Sequence, residues 1–156
     1  MTTNQSMIHR NFTSILTSII LTLILVAFYV IRKPNFLIDG KNIDKESLYN
    51  LLTVNTIFAG FIYTMLGNMV EFSARKDIQE LDKAGYIDPY FSPMYFGLFY
   101  FLVSIFLELI IIFFGLSWKL NLFHYLSLSG TLLGLIFFVI STLKMRKMIN
   151  KIRNKI

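Results

Sequence analysis

Glu108 is the residue whose type and position in this sequence point most directly to chemistry. It is the one charged residue in the apolar run Phe91–Gly115, FSPMYFGLFYFLVSIFLELIIIFFG. A helix rises ~1.5 Å per residue and the hydrocarbon core of a bilayer is ~30 Å thick, so a run of this length can cross a membrane. A carboxyl group at that depth is costly unless it is neutral or paired, which makes Glu108 a candidate functional residue.

The neighbours of Glu108 leave two interpretations open. Gly97 and Ser104 fall within about 40° of Glu108 on a helical wheel, so the acid faces protein or water and not lipid. As a structural acid, Glu108 is protonated or hydrogen-bonded to Ser104, to His124 on the following helix, or to Asn55. As a functional acid, it binds a cation, relays protons or contributes to the ring of a pore.

Small and polar residues also form a line along the second apolar segment, within about 80° of arc. We call them the Thr/Gly seam: Thr53, Thr56, Gly60, Thr64, Gly67 and Glu71. Helices in lipid associate through small residues and hydroxyl groups, so the seam indicates helix packing or, when several copies assemble, the lining of an aqueous path. In the fourth segment, Gly130 and Gly134 form a GxxxG pair, which is typical of close helix packing.

The elements that must position these residues are four apolar segments. The chain of 156 residues is 55% hydrophobic and 15% charged, whereas soluble domains carry about 25% charged residues. We expect an all-α fold, a four-helix transmembrane bundle that forms a single membrane domain over residues 1–156. The predicted spans are about 12–31, 48–70, 91–116 and 120–143.

Two charged segments are predicted to extend helices beyond the membrane. Residues 71–86 are predicted to continue the second helix as a cytoplasmic stalk, and residues 144–156 are predicted to continue the fourth helix as a basic amphipathic tail. Lys and Arg are about twice as numerous on the side of the membrane that holds both termini as on the other side. The positive-inside rule therefore predicts an inner-membrane protein with both termini in the cytoplasm. The basic side chains of the tail are predicted to bind anionic lipids or a partner protein. They are Lys144, Arg146, Lys147, Lys151, Arg153 and Lys155.

Several classes of function lack their residues in this chain. It has no cysteine, which excludes disulfides, iron–sulfur ligation and cysteine zinc sites. His9 and His124 fall on opposite sides of the predicted membrane, and no nucleotide-binding or hydrolase motif is present. We therefore predict no enzyme, no metal and no cofactor. The net charge of +6 is attributed to contact with the membrane surface and not to nucleic acid.

Residues 55–67, NTIFAGFIYTMLG, together with the charged segment that follows, carry a resemblance to a known family. This part of the chain resembles the small four-helix membrane subunits of bacterial phage-defence systems, such as the membrane subunit of Kiwa. The resemblance implies an oligomeric membrane assembly that works with a cytosolic effector and responds to infection.

These observations lead to one function and two alternatives. The main hypothesis is a homo-oligomeric inner-membrane protein that senses or transmits a membrane event to a cytosolic partner. Asn68 supports oligomerisation, because it lies on a different face of the second helix from Asn55 and would contact a neighbouring subunit. The alternatives are a pore- or channel-forming effector and a small proton-coupled transporter.

Overall fold

The described part of the chain folds into four long helices. The computed structural model describes residues 7–32, 45–75, 78–79, 86–114 and 120–153. The helices are α1 (Met7–Arg32), α2 (Lys45–Ser73), α3 (Asp88–Phe114) and α4 (Leu120–Arg153). No strand occurs in the described residues. The predicted all-α, four-helix fold is confirmed.

Each helix is long and apolar enough to cross a membrane. The candidate spans are Asn11–Ile31, Lys45–Ser73, Asp88–Phe114 and Leu122–Asn150. Large apolar side chains cover the outer surface, and Val30, Phe106 and Phe113 are 65%, 65% and 76% exposed. Such a surface suits lipid, in which long helices satisfy their own backbone hydrogen bonds. The chain is a multi-pass membrane protein.

Helix α3 is the central element of the bundle and packs against each of the other three helices, most extensively against α4. Glycines permit this close approach. A Cβ atom added to Gly134 would lie 2.8 Å from the Phe101 ring, and one added to Gly130 would collide with the Ser104 hydroxyl. On α3, a Cβ at Gly97 would lie 2.7 Å from Ile62. The predicted GxxxG pair therefore faces α3.

Aromatic and apolar side chains fill the space between α2, α3 and α4. Phe101 and Phe137 are fully buried. The Phe101 ring stacks on Phe58 with centroids 5.8 Å apart, and Phe137 stacks on Tyr100 at the same separation. Because aromatic side chains bury large areas and pack in these offset geometries, this layer makes a major contribution to the packing of the three helices.

Helix α1 lies at the periphery and is held by hydrogen bonds from tyrosines. The Tyr100 hydroxyl lies 2.6 Å from Ser18 Oγ and 3.1 Å from Thr22 Oγ1. The Tyr125 hydroxyl donates to the Leu25 carbonyl at 2.7 Å. Most other α1 side chains are exposed or half-buried. Polar contacts on one face thus attach α1 to α3 and α4.

The predicted stalk is wrong in its geometry, because α2 ends at Ser73 and does not run on to residue 85. Ala74 and Arg75 form a turn, in which the Arg75 amide donates to the Phe72 carbonyl at 3.2 Å. Ile78 then enters the core and is only 7% exposed. A straight helix would carry this apolar side chain away from the bundle, so its burial favours the turn. Residues 76–77 and 80–85 lie outside the described residues.

The fourth helix does extend beyond its predicted span. Helix α4 continues past residue 143 to Arg153, as the sequence predicts for the basic tail. One end of the bundle holds the ends of α2 and α4 and the start of α3. We call it the basic end. The opposite end holds the start of α2, the end of α3 and the start of α4.

We predict that Gly134→Ala destabilises the bundle by about 1–3 kcal/mol, because the new methyl group must displace a fully buried aromatic ring. Gly60→Ala is the matched control, since a Cβ there meets no atom within 4 Å. Unfolding of both variants in detergent, followed by circular dichroism, measures the difference. Equal stability of the two variants would contradict the close packing of α3 on α4.

Candidate functional site

A group of polar side chains lies buried where α2, α3 and α4 meet. Glu108 of α3 is fully buried, and its Oε1 accepts two hydrogen bonds. Asn55 Nδ2 of α2 donates at 2.7 Å and Ser127 Oγ of α4 donates at 2.6 Å. Ser104, one turn before Glu108, donates to the Ser127 carbonyl at 2.7 Å. We call these four residues the Glu108 centre, and one carboxylate oxygen in it joins three helices.

The structure distinguishes among the three partners predicted for Glu108. Asn55 forms a hydrogen bond with the carboxyl group. Ser104 is adjacent in the site, but its hydroxyl binds the backbone of α4 and not the acid. His124 is 7% exposed and makes no hydrogen bond to Glu108. The prediction did not include Ser127 among the partners of Glu108, although Ser127 lies on the same face of α4 as Gly134.

Two oxygen atoms of the Glu108 centre have no hydrogen-bond partner among the described residues. They are Glu108 Oε2 and Asn55 Oδ1, and both side chains are fully buried. No group of three or more acidic, histidine or cysteine side chains in the described residues could hold a metal ion. The carboxyl group and the amide of the centre thus each have one oxygen atom without a hydrogen bond.

The Thr/Gly seam lies on the outside of the single chain. All six of its residues are exposed. Thr53 and Thr64 donate to the carbonyls four residues earlier, at 2.8 and 2.9 Å, and Thr56 does the same at 2.8 Å. A Cβ at Gly60 or Gly67 would meet nothing within 4 Å. The other described helices of the chain therefore leave the Thr and Gly residues of the seam uncovered, whereas Glu71 borders a cleft between α2 and α4.

A cleft of about 300 Å³ opens at the basic end, between the end of α2 and the extension of α4. Its walls are formed by apolar side chains of both helices and by polar side chains of α2. The lining residues are Asn68, Met69, Glu71, Phe72, Arg75, Met145, Met148 and Ile149. Asn68, predicted to contact a neighbouring subunit, lines this cleft. The combination of three methionines with a polar edge is suited to binding an apolar segment of another molecule.

The basic side chains of the tail differ in their surroundings. Lys144 is half-buried and donates to the Pro89 carbonyl at 2.8 Å. This contact ties α4 to the first turn of α3, so Lys144 has a role within the bundle besides the predicted contact with lipid or partner. Arg146 and Lys147 are exposed. The side chains of Lys151, Arg153 and Lys155 lie outside the described part of the structure.

Comparison with known proteins gives no match: no protein-family model, no curated protein and no solved structure is similar to this chain at a significant level.

We predict that Glu108→Leu destabilises the bundle by about 1–3 kcal/mol, because it leaves the buried Asn55 amide and the Ser127 hydroxyl without their acceptor. Glu108→Gln is the matched control, because its side-chain carbonyl can replace Oε1 with little change in shape. Steric-trap or denaturant unfolding in micelles measures both variants. The role of Glu108 as an acceptor would be refuted if Glu108→Leu matched Glu108→Gln in stability.

Proposed function

We propose that this protein is a homo-oligomeric bacterial inner-membrane protein that transmits an event in the membrane to a cytosolic partner. The observation that carries the proposal is the continuity of α4. This helix bonds to Glu108 through Ser127 and lines the cleft through Met148. The two residues are ~32 Å apart along a helix that rises ~1.5 Å per residue. A rigid helix with buried contacts at both levels can carry a displacement from one to the other.

The distribution of charge supports a cytoplasmic position for the basic end. Arg75, Arg146 and Lys147 are exposed there. Arg75 follows the α2 span, and Arg146 and Lys147 lie near the C-terminal end of the α4 span. Positively charged residues next to a span are retained on the cytoplasmic side and are attracted to anionic lipid headgroups. In this orientation the cleft is open to the cytosol and the Glu108 centre lies in the outer half of the membrane.

The exposed Thr/Gly seam supports assembly with further copies of the chain. Gly60 and Gly67 leave the backbone of α2 accessible over about two turns, and such surfaces allow close contact between helices in lipid. A neighbouring copy is the simplest molecule to meet this face, because closed symmetric homo-oligomers are the commonest assemblies. Helix α2 would then connect the subunit interface with both the Glu108 centre and the cleft.

The chemistry of the cleft supports a protein partner. Methionine side chains are flexible and polarisable, and they adapt to the shape of a bound helix. Glu71 and Arg75 border the cleft on the α2 side and offer one charge of each sign. An amphipathic helix that inserts apolar side chains between α2 and α4 is the class of ligand that suits this site. The resemblance of residues 55–67 to membrane subunits of phage-defence systems makes the effector of such a system the first candidate.

Conduction is a second candidate function, and the location of the seam favours it. The space inside one chain is filled by side chains such as Phe101 and Phe137, so a path for ions would run between copies. Threonine hydroxyls along α2 would line that path. Ion currents in planar bilayers that Thr64→Leu abolishes would favour this function over transmission to a partner.

We predict that Thr64→Cys forms a disulfide between copies in native membranes, since the seam is expected to lie at the subunit interface. The chain has no cysteine of its own, so each variant has a single thiol. Phe106→Cys is the control, because this α3 residue is also exposed, at 65%, but lies on a different helix from the seam. Non-reducing electrophoresis after mild oxidation measures the dimer. Equal cross-linking of both variants, or none at Thr64→Cys, would contradict an interface at the seam.

We predict that a cytosolic protein co-purifies with the chain from its native cells and that Ile149→Glu reduces its recovery roughly tenfold, as expected for the loss of one buried apolar contact. Ile149 lines the cleft and is 51% exposed. Asn150→Glu adds the same charge one residue further on, outside the cleft, and should leave recovery unchanged. Quantitative mass spectrometry of the detergent-solubilised complex makes the comparison. Absence of a stoichiometric second protein would count against the proposal.

A further inference from the structure

We propose that the Glu108 centre is a proton-binding site, in which Glu108 Oε2 carries the proton and donates it to Asn55 Oδ1. This inference goes beyond transmission to a partner and does not depend on it. It rests on the two buried oxygens that lack a partner among the described residues, one on each of two side chains already joined by a hydrogen bond.

The first hydrogen bond joins the two planar groups that carry the free oxygens. Asn55 Nδ2 lies 2.7 Å from Glu108 Oε1, and each of these atoms shares a planar group with one of the free oxygens. A carboxylic acid and an amide can therefore close a second, reciprocal bond. An ionised carboxylate accepts only, so its Oε2 and the amide oxygen would repel each other, whereas a protonated Oε2 becomes the missing donor. One proton thus satisfies both buried atoms.

A bound metal cation accounts for these atoms less well. Calcium takes six to eight oxygen ligands and magnesium six in a near-ideal octahedron, whereas the centre provides two free oxygens. Oε1 is already occupied by donors from Asn55 and Ser127. A proton requires only one donor atom and one acceptor atom, which is the number available.

No described cation lies near enough to neutralise an ionised Glu108. Along α2, the first described basic residue is Lys45, ten residues or ~15 Å from Asn55. The titratable side chains at this level of the bundle are His124 and Tyr125 on α4, Tyr29 on α1 and Tyr49 on α2. Tyr125 donates to the Leu25 carbonyl, and its ring contacts Tyr29 with centroids 4.7 Å apart. His124 is thus the neighbour that could compete for the proton.

Occupancy of the site has a structural consequence. With the proton bound, α2 and α3 share two reciprocal hydrogen bonds inside the membrane. Release of the proton replaces one of them with repulsion between oxygens and leaves a buried negative charge without a counter-ion in the described part of the bundle, which is costly. Proton release is therefore coupled to a separation of α2 from α3, and α2 also carries the exposed Thr/Gly seam.

Infrared difference spectroscopy of the full chain in liposomes tests the proposal. At neutral pH, we expect a carbonyl band from a protonated carboxylic acid that Glu108→Gln abolishes and that Glu71→Gln leaves unchanged, because Glu71 is exposed. Asn55→Leu should shift this band to higher frequency, since it removes the hydrogen bonds from the amide. Alkaline titration should remove the band. It should also abolish cross-relaxation between a label on α2 and a label on α3, because proton release separates the two helices.

Each other outcome overturns the inference. No acid band at neutral pH would show that Glu108 is ionised, as it would be beside a protonated His124. A band that persists unchanged in Glu108→Gln would show that the protonated acid is a different residue. A band that Asn55→Leu does not shift would show that the proton is not shared with the amide. Labelling of the native chain with an apolar carbodiimide, located by mass spectrometry, needs no variant. Failure to modify Glu108 at neutral pH, when the same reagent modifies it in acid, would likewise contradict a bound proton.

Discussion

A carboxyl group inside a bilayer must be satisfied by the protein, and this requirement fixes the relation of three helices in the structure. Glu108 Oε1 accepts from Asn55 on α2 and from Ser127 on α4. Because both donors come from other helices, α2 and α4 can satisfy the acid only in one register relative to α3. Apolar packing in lipid discriminates less between registers, since lipid tails are as apolar as the side chains they replace.

The remaining packing follows from this arrangement. Gly130 and Gly134 allow α4 to approach α3 closely enough for Ser104 to reach the Ser127 carbonyl. The Phe101 ring fills the space beside Gly134. Toward the basic end, the same two helices and α2 enclose Met69, Met94 and Met148, which are buried. Glu108 and the cleft are thus two ends of one continuous packed unit.

The sequence predicts the four helices and the inward direction of Glu108, because both follow from hydropathy and helical periodicity. It also includes Asn55 among the partners of the acid. The role of Ser127 does not follow from periodicity, because its contact with Glu108 depends on the position of α4 along α3. The sequence likewise shows that the Thr/Gly seam forms one face of α2. Whether this face is exposed depends on the positions of the other helices. The predicted stalk is wrong because Ile78 packs in the core against residues that are distant in the chain.

The hydrogen bond between Asn55 and Glu108 holds α2 on α3. A double-mutant cycle with Asn55→Ala and Glu108→Ala, followed by unfolding in micelles, measures this interaction directly. We expect a coupling free energy of about 1 kcal/mol or more, near the upper part of the range for hydrogen bonds between membrane helices. Additive effects of the two substitutions would contradict it.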